Sequence, residues 1–414
     1  MKKLTGPFRH IITMDHLLRK GPITDSAMKI IKNGGVIVED GTIREVGDFE
    51  KLKKEYKVPV EEIPTPSVLT PGLIDAHTHI CYAGSRAKDY AQKIQGITYQ
   101  EILARGGGIY STVKKTRQSD FDTLKNETFK RVDRHFNSGI TTIEIKSGYG
   151  LSLVDEIKML DVINSINETS NPDLIPTCLA AHVRPVEFND NETYLDYIIT
   201  DILPLIMERD LSRRVDIFIE ENAFLPQESQ KFLEKAQALG FTATVHADQF
   251  SRGGAKVAAA VGAVSADHLE SSHDEDIKAL VNKNVTAVVL PGASLGLAMD
   301  FAPARKILDA GACLVIASDW NPGSAPMGDL LTQSALLSNF EKLTFAETIA
   351  GITFRAAYAL GIDDRGILSQ GKLADMISFP TDDQREILYN QGMLKPDMIW
   401  KNGNLIIKKP HKPS

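Results

Sequence analysis

The sequence predicts an α/β protein, a (β/α)8 TIM barrel with a small β-sandwich domain built from both termini. Three observations predict it. Short apolar runs recur eight times through the middle of the chain, helical patterns lie between them, and both ends are rich in strands. Short continuous apolar runs mark strands buried on both faces. Eight strand–helix units favour a closed barrel over an open sheet. A chain of 414 residues has room for such a barrel and a smaller unit beside it.

Residues 1–66 begin the β-sandwich. The segments 36–38 and 42–46 flank Asp40-Gly41, a dipeptide that tolerates positive φ, so they predict a hairpin. The barrel follows over 67–365. Its apolar runs lie at 68–77, 141–145, 174–182, 215–220, 242–246, 264–268, 285–290 and 313–318. Helical patterns such as 129–136, 227–239, 274–281 and 303–310 separate them, and Gly139, Gly240, Gly262 and Gly311 follow helical stretches as C-terminal stops. Residues 366–414 return to strands. The segment 373–379 alternates weakly, and 398–400 and 405–407 flank Asn402-Gly403, a second hairpin signal. Neither end carries enough strands to be stable alone, so the two are expected to share one domain.

Composition narrows the function. Hydrophobic residues make up 43% and charged residues 24%, which excludes a wholly disordered chain. A net charge of −7 leaves no basic footprint, so no nucleic-acid partner is expected. Cys81, Cys178 and Cys313 are widely spaced and form no CxxC pair, so neither a disulfide framework nor a zinc ribbon fits. A reducing compartment is expected. No run approaches the ~20 apolar residues of a membrane span, and the first residues lack the apolar stretch of a signal peptide. The expectation is a cytoplasmic protein with no membrane partner.

Chemistry gathers at the strand ends. His77 and His79 follow the first run, His182 ends the third, His246 the fifth and His268 the sixth, and Asp319 follows the eighth. The other histidines, His10, His16, His135, His273 and His411, fall in helices or towards the termini. In (β/α)8 enzymes the C-terminal face of the barrel holds the active site. In an extended segment, residues i and i+2 share a side, so His77 and His79 can reach one metal ion together. A lone HxH also occurs as two hydrogen-bonded histidines near a turn. The buried run leading into it, with His246 and Asp319 at other strand ends, favours a metal. Three imidazole nitrogens and one carboxylate make a suitable ligand set with room for water.

These residues resemble a known family. PGLIDAHTH at 71–79, HAD at 246–248, SADH at 265–268 and SDWNPGS at 318–324 resemble the strand-end signatures of the amidohydrolase superfamily, and GKLADMISF at 371–379 resembles the return into its terminal β-sandwich. YAGSRAKDY, QGITYQEI, ARGGGIYSTV, EIKSGYGL and AAHVRPVEF are similar to the imidazolonepropionase family, hydrolases that open the imidazolone ring in histidine degradation. The resemblance implies one metal ion per subunit, zinc or iron, bound by His77, His79, His246 and Asp319. It implies a small-molecule substrate, 4-imidazolone-5-propanoate, and a homodimer. Asp319 would move the proton, and His268 would polarise the carbonyl or hydrogen-bond the water. Arg86, Tyr149, His182 and Gln249 would contact substrate, with Arg86 facing its carboxylate as a planar fork. Asn321, Gly323 and Ser324 would line the same pocket.

Three positions separate this reading from its rivals. Gln249 stands where adenosine- and cytosine-type deaminases of the superfamily place a glutamate, and an amide has no carboxyl group to shuttle a proton. Imidazolonepropionases vary at this position, so Gln249 reads as a hydrogen-bonding contact and counts against a deaminase. Lys146 ends the second strand, whereas the carboxylated lysine of two-metal amidohydrolases comes from the fourth. It reads as an ion pair with Glu144 or a nearby carboxylate. Arg105-Gly106-Gly107-Gly108 follows a helical stretch and lacks a GK[ST] sequence, so it reads as a loop over the barrel mouth and not as a phosphate cradle. A catalytically dead scaffold on the same fold would have lost ligands, and all four are present.

Overall fold

The structure, a computed structural model of the chain, describes residues 2–63, 66–97, 101 and 106–409. The barrel strands are Leu73–Asp75, Ile140–Lys146, Asp173–Ala181, Arg214–Ile217, Thr242–Ala247, Ser265–His268, Thr286–Val289 and Leu314–Ile316. They lie side by side in chain order, and every pair is parallel. Each predicted run holds one of them. The last and first strands meet just beyond their ends. Asp319 N–H donates to His77 O at 3.1 Å, and His79 N–H donates to Trp320 O at 2.9 Å. A parallel bridge between Thr78 and Trp320 completes that seam.

The helices form where the capping chemistry starts them. Phe121–Phe136 begins eight residues earlier than its apolar pattern predicts, because Asp120 caps it by accepting from Thr123 N–H at 2.7 Å. Its buried stripe includes Thr128, a polar residue that hides the period. Gly139, Gly240, Gly262 and Gly311 stand at φ +94°, +97°, +64° and +91°, the left-handed conformation that ends a helix.

The run at 68–77 contains two strands, not one. Val68–Pro71 belongs to the terminal sheet, and Leu73–Asp75 starts the barrel. Gly72 sits between them, where a Cβ would lie 2.2 Å from Thr141 Oγ1, so only glycine lets the chain cross from one sheet to the other.

Both termini enter one sheet, ordered Asn404–Lys408, Met398–Lys401, Met376–Phe379, Val68–Pro71, Lys2–Ile12, Ile30–Glu39 and Thr42–Asp48, with Val60–Glu62 paired to Lys2–Ile12. Both predicted hairpins are present, with Asp40 and Gly41 at φ +47° and +85° and Asn402 and Gly403 at +48° and +72°. Strand alternation divides the side chains between two cores. Val68, Ile377, Phe379 and Ile399 join the barrel's core, while Leu69, Met376, Met398 and Trp400 join Phe8, Ile11, Val36 and Val38 in a second cluster. The edge strand Thr42–Asp48 comes back to the segment before Met376–Phe379: Ile43 N–H donates to Lys372 O at 2.8 Å and Ala374 N–H to Gly41 O at 2.9 Å.

The three cysteines are free and buried. Burial pushes the thiols up, Cys81 to about 12 and Cys313 to about 11, so they are packed hydrophobes and not reactive groups. Among the described residues, no helix is long and apolar enough to cross a membrane.

Trp400 is fully buried, meets the Phe8 ring edge-on at 5.9 Å and donates from Nε1 to Glu61 Oε2 at 3.1 Å. Trp400→Ala is expected to cost about 3–5 kcal/mol, read as a lower denaturation midpoint.

Candidate metal centre and active site

The HxH pair leaves the first barrel strand with both imidazoles turned to one point. His77 Nε2 and His246 Nε2 each lie 3.2 Å from His79 Nε2. Asp319 Oδ1 stands 3.6 Å from His77 Nε2 and 3.4 Å from His79 Nε2. All four residues are buried. His77 Nδ1 lies 2.6 Å from Asp267 Oδ2, and His246 Nδ1 lies 2.9 Å from Asp216 Oδ2. A carboxylate at Nδ1 keeps the ring proton there and leaves Nε2 as a lone pair. Two such lone pairs converge on His79 Nε2, which carries at most one proton and so can donate to only one of them. A cation resolves that contact, and the donor set fits a divalent transition metal. Burial holds His77 and His79 well below the usual imidazole range and takes His246 to about 4, outweighing the pull of Asp216. Neutral imidazole is the ligand form.

A charge cluster adjoins these ligands. Lys146 pairs with Glu144 at 2.8 Å, as the sequence suggests, and also with Asp216 at 2.9 Å. Burial opposes its charge, but Asp216, Glu144 and Asp267 outweigh that and hold the ammonium protonated. Sequence reasoning missed Asp216 and Asp267. Their signal is a charged residue on the interior face of an apolar strand, a placement that needs a partner to be tolerated.

Asp319 and His268 sit in strained backbone. Asp319 has φ +49°, His268 +87° and Leu269 +74°, in the left-handed region that non-glycine residues avoid. His268 places its ring 5.2 Å from that of His246 and 5.8 Å from that of His77. Behind it, His268 Nδ1 is 3.5 Å from Glu270 Oε2, and Ser294 Oγ donates to Glu270 Oε1 at 3.1 Å. Glu270 is a second residue that the sequence did not reveal. Burial raises the Asp319 carboxyl to about 6 against the pull of His268 and the Asn321 hydrogen bond. Asp319 caps no helix; Asp329 caps the helix Leu330–Glu341 that follows. Asn321 Nδ2 donates to Asp319 Oδ2 at 2.9 Å and to Ser324 Oγ at 2.8 Å, while Asn321 Oδ1 accepts from Gly323 N–H at 2.7 Å. The loop after the eighth strand therefore wraps around one asparagine that also holds the carboxylate.

The remaining candidates line the barrel mouth. His182 stacks on His79 with centroids 5.3 Å apart, and the Tyr149 ring is 5.4 Å from His182. His182 Nδ1 meets Gly148 O at 3.0 Å, and burial lowers its pKa to about 3. Glu156, unnoticed in the sequence because it opens an ordinary helix, accepts from the N–H groups of Gly148, Gly150 and Leu151 at 3.1, 2.8 and 2.7 Å. It thereby fixes the loop carrying Tyr149. Arg86 Nε donates to Asp89 Oδ2 at 3.0 Å, and Gly108 N–H reaches the same oxygen at 2.8 Å. Arg86 also lies against Gly323, where a Cβ would come 2.4 Å from Nη1. Gln249 is buried, and among the described residues its side-chain amide makes no hydrogen bond. Arg105, His411 and much of the QGITYQEI segment lie outside the described residues.

Residues 217–406 match the model of the Amidohydrolase family. The chain superposes on a triazine hydrolase variant with a TM-score of 0.75 at 15% identity, covering 99% of this chain and 96% of that one. On an adenosine deaminase from Xanthomonas campestris with bound zinc the TM-score is 0.72 at 15% identity, covering 98% and 93%. These likenesses establish the fold. Fold and site together define an amidohydrolase. Over 388 residues the chain is 39% identical to the imidazolonepropionase of Geobacillus sp., covering 92% of each. Over 390 residues it is 40% identical to that of Fusobacterium nucleatum subsp. nucleatum, covering 93% of this chain and 94% of that one. The chain belongs to the imidazolonepropionase family.

His246→Ala is expected to lose most bound metal by elemental analysis; a fully metallated variant would contradict the ligand role. Depressed imidazole pKa values mean that protons compete weakly for these nitrogens. The Asp319 carboxyl, raised to about 6, is the group that protons reach first, so metal affinity should begin to weaken as the pH falls through about 6, while the three imidazoles stay neutral below the ~6.5 of a free histidine; metal content after gel filtration at stepped pH checks this.

Proposed function

We propose that the chain hydrolyses the ring C–N bond of 4-imidazolone-5-propanoate to N-formimidoyl-L-glutamate, with one zinc or iron ion held by His77, His79, His246 and Asp319. The observation that carries this is the buried convergence of three imidazole nitrogens and one carboxylate, in a chain 39–40% identical to imidazolonepropionases over 92–93% of its length. Such an ion, when bound, supplies Lewis acidity and lowers the pKa of a water from about 15.7 towards about 7.

The chain's own groups account for the rest. Asp319 takes the proton of the attacking water and returns it to the departing ring nitrogen. A carboxyl raised to about 6 suits a group that both accepts and gives a proton near neutrality. Asn321 and Ser324 keep its outer oxygen in place. His268, backed by Glu270, faces the carbonyl oxygen and polarises it. Water adds across the bond, so one carboxylate forms and one nitrogen gains a proton. Arg86 has Nε committed to Asp89 and offers the far edge of its guanidinium to the propionate carboxylate. Tyr149 and His182 cover the ring, and the free amide of Gln249 hydrogen-bonds to it. Gly323 and Ser324 complete the wall next to Arg86.

We read residues 67–365 as the hydrolase barrel, except that Val68–Pro71 lies in the terminal sheet, and 1–66 with 366–414 as one β-sandwich. The cluster shared by both termini and the return of the edge strand to 371–374 support that division. The working form is a homodimer, as the resemblance implies, and it works in the cytoplasm, a reading that the free buried cysteines of a reducing compartment support.

The test is turnover of freshly generated imidazolone propionate by the metal-loaded chain. N-formimidoyl-L-glutamate should appear with no ammonia; ammonia release would point to a deaminase instead. Arg86→Ala removes hydrogen bonds to a charged group, so KM should rise about 10–100-fold with kcat little changed. Gln249→Glu should leave ring opening measurable, because only substrate positioning is altered.

A further inference from the structure

Lys146 is the one lysine whose ammonium is enclosed by three buried carboxylates among the described residues. Its Nζ lies 2.8 Å from Glu144 Oε1, 2.9 Å from Asp216 Oδ2 and 4.0 Å from Asp267 Oδ2. The two aspartate oxygens are the same atoms that face the ligand imidazoles. Asp216 Oδ2 is 2.9 Å from His246 Nδ1, and Asp267 Oδ2 is 2.6 Å from His77 Nδ1. One ammonium thus acts on the outer nitrogens of two proposed ligand histidines, through direct contact with Asp216 on one side and through charge attraction on Asp267, 4.0 Å away, on the other. Glu144, Asp216 and Asp267 are all within 1% of full burial. Like charges packed so closely repel strongly in a dry interior, and a cation between them is what keeps them at these distances.

We propose that Lys146 is a positioning residue for the metal centre: its ammonium clamps Asp216 and Asp267 so that each stays aimed at Nδ1 of its histidine, and His246 and His77 keep Nε2 turned to the ion. This rests on the metal-centre reading above. It goes beyond the balancing of Glu144, because Glu144 contacts no ligand imidazole; its carboxylate accepts from Thr78 N–H at 3.2 Å. Two opposite outcomes separate the clamp from simple electrostatics. Removing a positive charge near a cation site should tighten metal binding by Coulomb attraction alone. Removing a clamp should loosen it, as the loss of other outer partners of ligand histidines does.

The experiment uses the full chain. Zinc affinity is measured by competition with a chelator of known strength, and ligand geometry by the visible spectrum of the Co2+-loaded protein. Lys146→Met should weaken zinc binding about 10–100-fold and shift the cobalt bands. The double variant Glu144→Gln with Lys146→Met removes one charge of each sign, so it keeps the net buried charge and serves even where the single variant does not fold. It should remain as weak a zinc binder. Zinc binding in the double variant at the wild-type level, with an unchanged cobalt spectrum, would overturn the inference, as would tighter binding in the single variant. A wild-type chain that binds no zinc or cobalt would overturn the metal-centre reading itself; tight wild-type binding with unweakened variants would overturn only the role of Lys146.

Discussion

Burying charge is the constraint from which this structure is built. Glu144, Lys146, Asp216, Asp267 and Asp319 all lie inside the barrel with the three ligand imidazoles, essentially closed to solvent. An isolated carboxylate there is untenable, so each has a polar or charged partner, on its own strand, a neighbouring one or across the barrel. The partners come from different strands: Lys146 from the second, Asp216 from the fourth, His246 from the fifth, Asp267 from the sixth. Strand order and register place these groups, and the groups in turn tolerate burial only in that order.

The same device recurs at the rim in a milder form. Glu156 collects three backbone N–H groups of the loop after the second strand, and Glu220 collects those of Phe250 and Ser251 after the fifth. Asp248 takes the N–H groups of Gly253 and Ala255 as well as the Ser272 hydroxyl. In each case a short acidic side chain replaces the regular hydrogen bonding that a loop lacks. Loops that would otherwise be mobile become fixed walls around Tyr149 and Gln249. Their rigidity suits a site that must hold a small ring in one orientation.

How far the sequence exposes this design depends on the range of each interaction. The barrel strands show because each is a continuous apolar run. His77 and His79 show because two residues of one extended segment need only local geometry to share a side. Asp319 shows because it follows a strand of recognisable pattern. Of the partners of Lys146 only Glu144 shows, since Asp216 and Asp267 reach it from strands remote in the chain. Glu270 and Glu156 look like ordinary helix-start or loop acids until the fold turns them inward. Asn321 reads as a pocket residue from its loop, whereas its amide is spent on Asp319 and on the backbone of its own turn. The two-strand nature of 68–77 is hidden because Val68–Pro71 and Leu73–Asp75 are equally apolar, and only the close approach of Gly72 to Thr141 divides them.

The seam between the first and last strands has a consequence for biosynthesis. The hydrogen bonds that join them run between His77, His79, Asp319 and Trp320, the segments that also carry three of the four proposed ligands. A nascent chain that has emerged only as far as the seventh strand carries His77, His79 and His246 but lacks Asp319 and the hydrogen bonds that hold the first strand against the eighth. High-affinity capture of a metal therefore waits until the ring of strands shuts. An ion held by the proposed ligands would staple the ends of the barrel together and resist opening at that joint.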